Sequence, residues 1–201
     1  MKLTLIVALA IFFSYSSLAQ TVLPMGSHLP KDGIRMKDVM GELVSFNDVK
    51  TSSGLLVMFS SNTCPYVIRN HARTKEICNY SQEKNIGVIL LNANERNRSS
   101  GDSYADMQQY ARQQGYQWKY AIDSHNELAD ALGANHNPEC FLFDGNGILV
   151  YHGAIDNNPA DGKSVSRRHL KIAIDEMLSG KKISLNETRS VGCTIQRKRT
   201  L

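Results

Sequence analysis

The chain predicts an α/β fold, a central mixed β-sheet with helices on both faces, and three observations carry that prediction. Residues 55–59 and 87–91 are two short, wholly apolar runs, the pattern of strands buried on both sides. The first leads into a long segment with one apolar face, 65–83, the pattern of a helix packed on such a sheet. A late pair of strand-like runs, 140–144 and 148–151, flanks Gly145-Asn146-Gly147 and precedes a last amphipathic segment, giving the order β-α-β-α, a short helix, then β-β-α.

Taken in order, residues 20–32 lack periodicity and read as a flexible lead-in. Met36, Val39, Leu43, Val44 and Phe46, interrupted by Gly41-Glu42, suggest a short hairpin, and Gly54 opens the first long strand. Within 65–83, Val67, Ile68, Ala72, Ile77 and Tyr80 alternate with charged residues, and Pro65 fits a first helical position, whose N–H is not needed. The strand 87–91 ends in the polar run 92–98, a long polar loop of the kind that borders sites. Ser103 suits the cap of a helix to Gln114, and Asn126 that of a helix through Leu132, with Gly133 as its stop. The last helix is expected over 165–178, with Leu170, Ile174, Met177 and Leu178 on or near one face.

The apolar run 3–13, the polar Ser14-Tyr15-Ser16-Ser17 and the small-residue ending Ser17-Leu18-Ala19 read as a signal peptide over 1–19, too short to span a bilayer. The protein is therefore expected to be exported, to a periplasmic or extracellular location, without stable membrane insertion. The remaining divisions are a single domain over 33–180 and a basic tail over 181–201 that contains Cys193. The net charge of +4 comes largely from Lys181-Lys182 and Arg197-Lys198-Arg199, which read as solvated tail charges; no aromatic residues interleave them, so nucleic acid is not an expected partner. With 42% apolar residues supplying a core, the four cysteines are too few for a disulfide-built scaffold.

Cys64 stands where the first strand should turn into the first long helix. Free N–H groups and the positive end of a helix dipole stabilise a thiolate there, which marks Cys64 as a candidate nucleophile; the plainer reading is a half-buried structural cysteine.

The order of elements, Cys64-Pro65-Tyr66-Val67, then Pro138-Glu139 ahead of Phe141-Leu142-Phe143-Asp144, Tyr151-His152-Gly153-Ala154-Ile155-Asp156 and Gly192-Cys193-Thr194-Ile195 together resemble a peroxiredoxin-like branch of the thioredoxin superfamily, the redoxin or alkyl hydroperoxide reductase and thiol-specific antioxidant type. The resemblance implies a thioredoxin-like fold and a thiol-dependent oxidoreductase. It implies no cofactor, and as partners protein or small-molecule thiols, disulfides or hydroperoxides and an external reductant. Members of that branch commonly carry Cys-x-x-Cys before the proline, whereas Ser61 occupies the first position here and excludes a local dithiol cycle. Ser61-Asn62-Thr63-Cys64 matches the second half of the peroxiredoxin motif Pro-x-x-x-Thr/Ser-x-x-Cys, with Val57 where the proline belongs. The resemblance gives Ser61 a hydrogen bond to the sulfur or to a peroxide. It leaves Arg69 and Arg73 as the candidates for an active-site arginine. It also implies a cis Pro138, with Asn137 presenting its backbone to substrate and Thr63, Pro65 and Pro138 as further substrate-binding residues.

Cys78, about 21 Å along the same helix, is out of reach of Cys64, since a disulfide tolerates a Cα separation of roughly 7 Å. Cys140 reads as a core residue. Cys193 has two readings: a resolving thiol on a mobile tail that reaches Cys64, or a bridge to Cys78 or Cys140 that pins the tail. His71 with His136 or His152 raises the question of a metal site, but copper-delivering relatives of the fold need a second cysteine that this chain lacks, so no metal is expected. The alternative to an enzyme is a thioredoxin-fold binding module that has lost its dithiol.

Overall fold

The computed structural model describes residues 21–198, so the expected signal peptide lies outside the described residues. Its sheet has five strands in the order β5-β4-β3-β7-β8, formed by β3 (Leu55–Phe59), β4 (Gly87–Asn92), β5 (Lys119–Ile122), β7 (Glu139–Phe143) and β8 (Leu149–Gly153). Strands β3, β4 and β5 run parallel, while β7 pairs antiparallel with both β3 and β8, which makes the sheet mixed as expected. A hairpin of β1 (Met36–Lys37) and β2 (Leu43–Val44) precedes it.

Period-two alternation divides the core into two layers. Leu56, Met58, Val88, Leu90, Cys140 and Leu142 point to one face, where α2 (Pro65–Glu83), α3 (Tyr104–Gln114) and α5 (His169–Leu178) cover them through Ile77, Cys78, Met107, Leu170 and Ile174. Leu55, Val57, Phe59, Ile89, Leu91 and Phe141 point to the other. There α1 (Phe46–Val49) and α4 (Glu127–Leu132) contribute Phe46, Leu128 and Leu132. None of the described helices is long and apolar enough to cross a membrane.

Four expectations are corrected. Phe46 belongs to α1, because Ser45 and Asp48 form a capping box that starts a helix there. Strand β5 was not expected: its four residues include Lys119, and only Tyr120 and Ala121 are fully buried. The last helix starts at His169, since residues 165–168 form no regular element after a 3-10 turn at Gly162–Ser164 and Val165 is extended. Residues 21–32 are fastened down: Leu23 N–H donates to Leu132 O, Leu29 N–H to Gly147 O and Leu149 N–H to Ser27 O, at 3.0, 2.8 and 2.9 Å, with Val22, Met25 and Leu29 packed on the core layer of α1 and α4.

The tail also departs from expectation. Ile195 is buried among the apolar residues of the α4 face, and Gln196 N–H donates to Asn94 Oδ1 at 2.8 Å. Arg197, read as a solvated charge, donates from Nε to Asp130 at 2.9 Å and from Nη2 to Ala134 O at 2.6 Å. Two residues upstream of Ile195 the chain forms β9 (Cys193–Thr194), which pairs antiparallel with β6 (His136–Asn137).

Candidate functional site

Cys64 is the residue from which α2 starts. It has extended backbone angles, Pro65 follows as the first helical residue, and Ile68 N–H donates to Cys64 O at 3.0 Å. The helix leaves its first N–H groups without intrahelical partners, and those of Tyr66 and Val67 face the end where Cys64 sits. The Cys64 side chain is 3% exposed, beneath a rim on which Thr63 and Pro65 are exposed.

Across from it, the Asn137–Pro138 peptide bond is cis, as the resemblance implied. Cys64 Sγ lies 3.1 Å from Asn137 O, and Cys193, set opposite Asn137 by the β6/β9 register, forms a disulfide with Cys64 at a Cα separation of 5.9 Å. In that state the Cys64 sulfur carries no proton, so its approach to Asn137 O is a contact; reduction would give the thiol an acceptor there. Of the two readings of Cys193, the structure places it on Cys64, and the bridge to Cys78 or Cys140 is not formed: both of those thiols are free. Both are fully buried, and loss of water raises their pKa values; Cys140 is pushed further by Cys78, Glu139 and Asp156. Neither is an accessible nucleophile.

Beneath the 60–64 loop lies a carboxylate that sequence reading missed. Asp102, fully buried, accepts from Ser61 Oγ at 2.9 Å, Asn62 N–H at 2.8 Å and Asn92 Nδ2 at 2.7 Å. Asn62 in turn accepts from Tyr120 OH at 2.9 Å and donates to Gly101 O at 2.9 Å. Ser61 therefore gives its proton to Asp102, and its expected bond to the sulfur is not among its hydrogen bonds, which are to Asp102, Thr63 Oγ1 and Thr63 N–H. The polar loop after β4 borders this site, as expected: Arg98 donates to Asn92 Oδ1 at 2.7 Å and to Asp102 O at 3.0 Å.

A second buried acid organises the other wall. Glu139, directly after the cis bond, accepts through Oε2 from Asn135 N–H at 2.7 Å and His136 N–H at 2.8 Å, and through Oε1 pairs with His152 Nε2 at 2.7 Å. Burial alone would raise its pKa, but the His152 bond and the two backbone N–H bonds outweigh it and hold the carboxyl below the usual range. His152 is engaged in this pair and was a metal candidate on sequence grounds. Among the described residues no group of three or more His, Cys, Asp or Glu is gathered to hold a metal ion.

The two candidate arginines have other partners. Arg73 donates to Asp156 at 2.6 Å and to Asn158 O at 2.7 Å, nine residues or about 13 Å along α2 from Cys64. Arg69 is exposed and lies over the Tyr66 ring, 5.8 Å from its centroid. Arg73 is thus held by Asp156 and Asn158, and the contact of Arg69 is with Tyr66.

Comparison with known proteins fits this geometry. Among solved structures, a hypothetical protein of Sinorhizobium meliloti 1021 is 28% identical with a TM-score of 0.81, covering 90% of this chain and 98% of that one. An uncharacterized conserved protein of Geobacillus kaustophilus is 28% identical with a TM-score of 0.80, covering 89% and 94%. Peroxidoxin BcpB of Mycobacterium tuberculosis shares the fold alone, at 9% identity and a TM-score of 0.54 over 77% of this chain and 94% of that one. No protein with a curated description matches the chain. The family model that matches, AhpC/TSA, spans residues 25–152, which takes in Cys64, the cis Asn137–Pro138 bond and Glu139, and the chain belongs to the AhpC/TSA family.

Proposed function

We propose that this protein is an exported thiol-disulfide oxidoreductase in which Cys64 is the attacking thiol and Cys193 resolves. The observation that carries the proposal is the Cys64–Cys193 disulfide seated at a helix start beside the cis Asn137–Pro138 bond. In the cycle, the Cys64 thiolate attacks a substrate disulfide and expels one substrate thiolate. Cys193 then attacks the mixed disulfide at Cys64, releasing the second substrate thiolate and leaving the Cys64–Cys193 bond. An external dithiol restores the enzyme and takes up the disulfide. Its attack falls on Cys193, which is only partly buried, and Cys64 departs as a thiolate beside the unpaired N–H groups of α2.

Disulfide exchange is favoured over peroxide reduction by three features. Val57 stands where the peroxiredoxin proline belongs, Ser61 is committed to Asp102, and Arg69 and Arg73 are directed elsewhere. Export rests on the leader-like segment 1–19.

A second reading, a binding module with a permanent staple, draws on the firm seating of Ile195 and Arg197. Redox titration against dithiothreitol and glutathione buffers separates the two. A potential well above about −300 mV, with loss of disulfide reductase turnover in Cys64→Ser, supports the enzyme. A bond that resists reduction in the folded protein, or full turnover by Cys64→Ser, overturns it.

A further inference from the structure

We propose that the tail is a template of the substrate: once reduction releases β9, the β6 edge accepts an extended segment of a partner protein with glycine immediately before its reactive cysteine and an apolar residue two positions after it. This rests on the thiol-exchange reading above.

The tail enters the site as a bound peptide strand would. Cys193 lies opposite Asn137, Thr194 opposite His136, and Ile195 N–H donates to Asn135 O at 2.9 Å. Thr194 faces solvent, whereas Ile195 is buried among core residues, so the position two after the cysteine has an apolar pocket. The position before the cysteine admits no side chain. A Cβ added to Gly192 would overlap Asn137 O, stand 2.6 Å from the Asn137 carbonyl carbon and press within 3.1 Å of Pro138 N. These are backbone atoms and cannot swing aside. The turn that holds them is fixed by Glu139, which bonds the Asn135 and His136 N–H groups on one oxygen and His152 on the other, all in a buried setting. A partner strand following the same path meets the same wall.

One edge cannot pair with two strands at the same time. The Cys64 thiolate attacks the partner's cysteine sulfur, forming the mixed disulfide and expelling the partner's other cysteine as thiolate. For Cys193 to attack Cys64 Sγ, β9 has to return to β6 and displace the partner strand. The electron pair of the breaking bond leaves with the partner's cysteine, and two electrons have passed from the protein's dithiol to the partner's disulfide. Resolution and product release are then one event.

The test uses full-length Cys193→Ser and two peptides, Val-Gly-Cys-Thr-Ile and Val-Ala-Cys-Thr-Ile, each activated as a thionitrobenzoate mixed disulfide, with release of thionitrobenzoate followed optically. The glycine peptide should react at least tenfold faster than the alanine peptide, and reduced wild-type protein should give the same ratio in its first step. Equal rates overturn the template. Cystamine, a small disulfide, is the separate arm: if it too fails to react with Cys64, the redox reading falls, whereas reaction with cystamine and equal peptide rates sinks the template alone. In Gly192→Ala, which keeps Cys193, release of the bound peptide thiol should slow at least tenfold; release at the wild-type rate overturns the displacement step.

Discussion

Glu139 holds together the residues on which the site turns. Removing it by Glu139→Ala leaves His152 and two N–H groups without their buried partner, and a loss of about 3 kcal/mol or more is expected in urea denaturation at neutral pH. Its folded pKa is depressed, so its contribution is present above the ordinary glutamate value of about 4.3 and is lost as pH falls through the lower folded value. Wild type should therefore lose more stability between about pH 7 and pH 3 than the alanine variant; parallel curves would show that the ionisation of Glu139 contributes nothing. Cys64, Pro138 and Cys193 were legible in the sequence because local pattern marks them: a cysteine-proline pair at a strand's end, a proline before a hairpin, a cysteine after glycine. Asp102 and Glu139 were not, since their partners are made by folding. Asp102 reaches Ser61 across 41 positions and Glu139 reaches His152 across 13.

Elements declared themselves in proportion to their length and periodicity. Strand β3 and helices α2 and α3 fall where the apolar pattern and the Pro65 and Ser103 signals place them, while β5 is too short and mixed to be read. Helix α4 ends at Gly133 as expected, in a left-handed conformation at φ 68°, but its start is held differently. The Asn126 side chain donates to Ala93 O, and the cap is supplied by Asp123, whose two oxygens accept from Leu128 and Ala129 N–H at 2.9 and 2.8 Å. Burial raises the Asp123 pKa to about 6 despite those bonds. A raised folded pKa gives stability that is full below the unfolded value near 4 and is lost as pH rises through about 6. Between pH 5 and 7 the loss should be about 1 kcal/mol by denaturant titration, and Asp123→Asn should abolish that slope. An unchanged slope in the variant would assign it to another group.

At the scale of the molecule, one covalent link joins the first turn of α2 to the end of the chain, across 129 positions. Closing a loop of that size restricts the unfolded chain, so reduction should cost about 2–5 kcal/mol of stability. Oxidised wild type and Cys193→Ser should differ by that amount in urea and converge in excess reductant; no difference would place the reduced tail's anchorage, not the bond, in charge of stability. The plan of one sheet between two helical layers was readable because it needs only apolar runs and their alternation. The seating of the tail was not, because Ile195 and Arg197 find their partners on α4 and the turn after it.

Asp102 also bears on whether the missing dithiol can be regained. In Ser61→Cys the new thiol would stand beside a buried carboxylate that already accepts from the loop's Asn62 N–H and from the Asn92 amide of β4. A neighbouring negative charge disfavours a thiolate, so the pH profile of alkylation at that cysteine should run above that of an ordinary thiol and shift down when Asp102→Asn is added. One substitution would supply the spelling of the Cys-x-x-Cys motif without its reactivity, and the disulfide of Cys64 with a cysteine 129 positions away would keep its place.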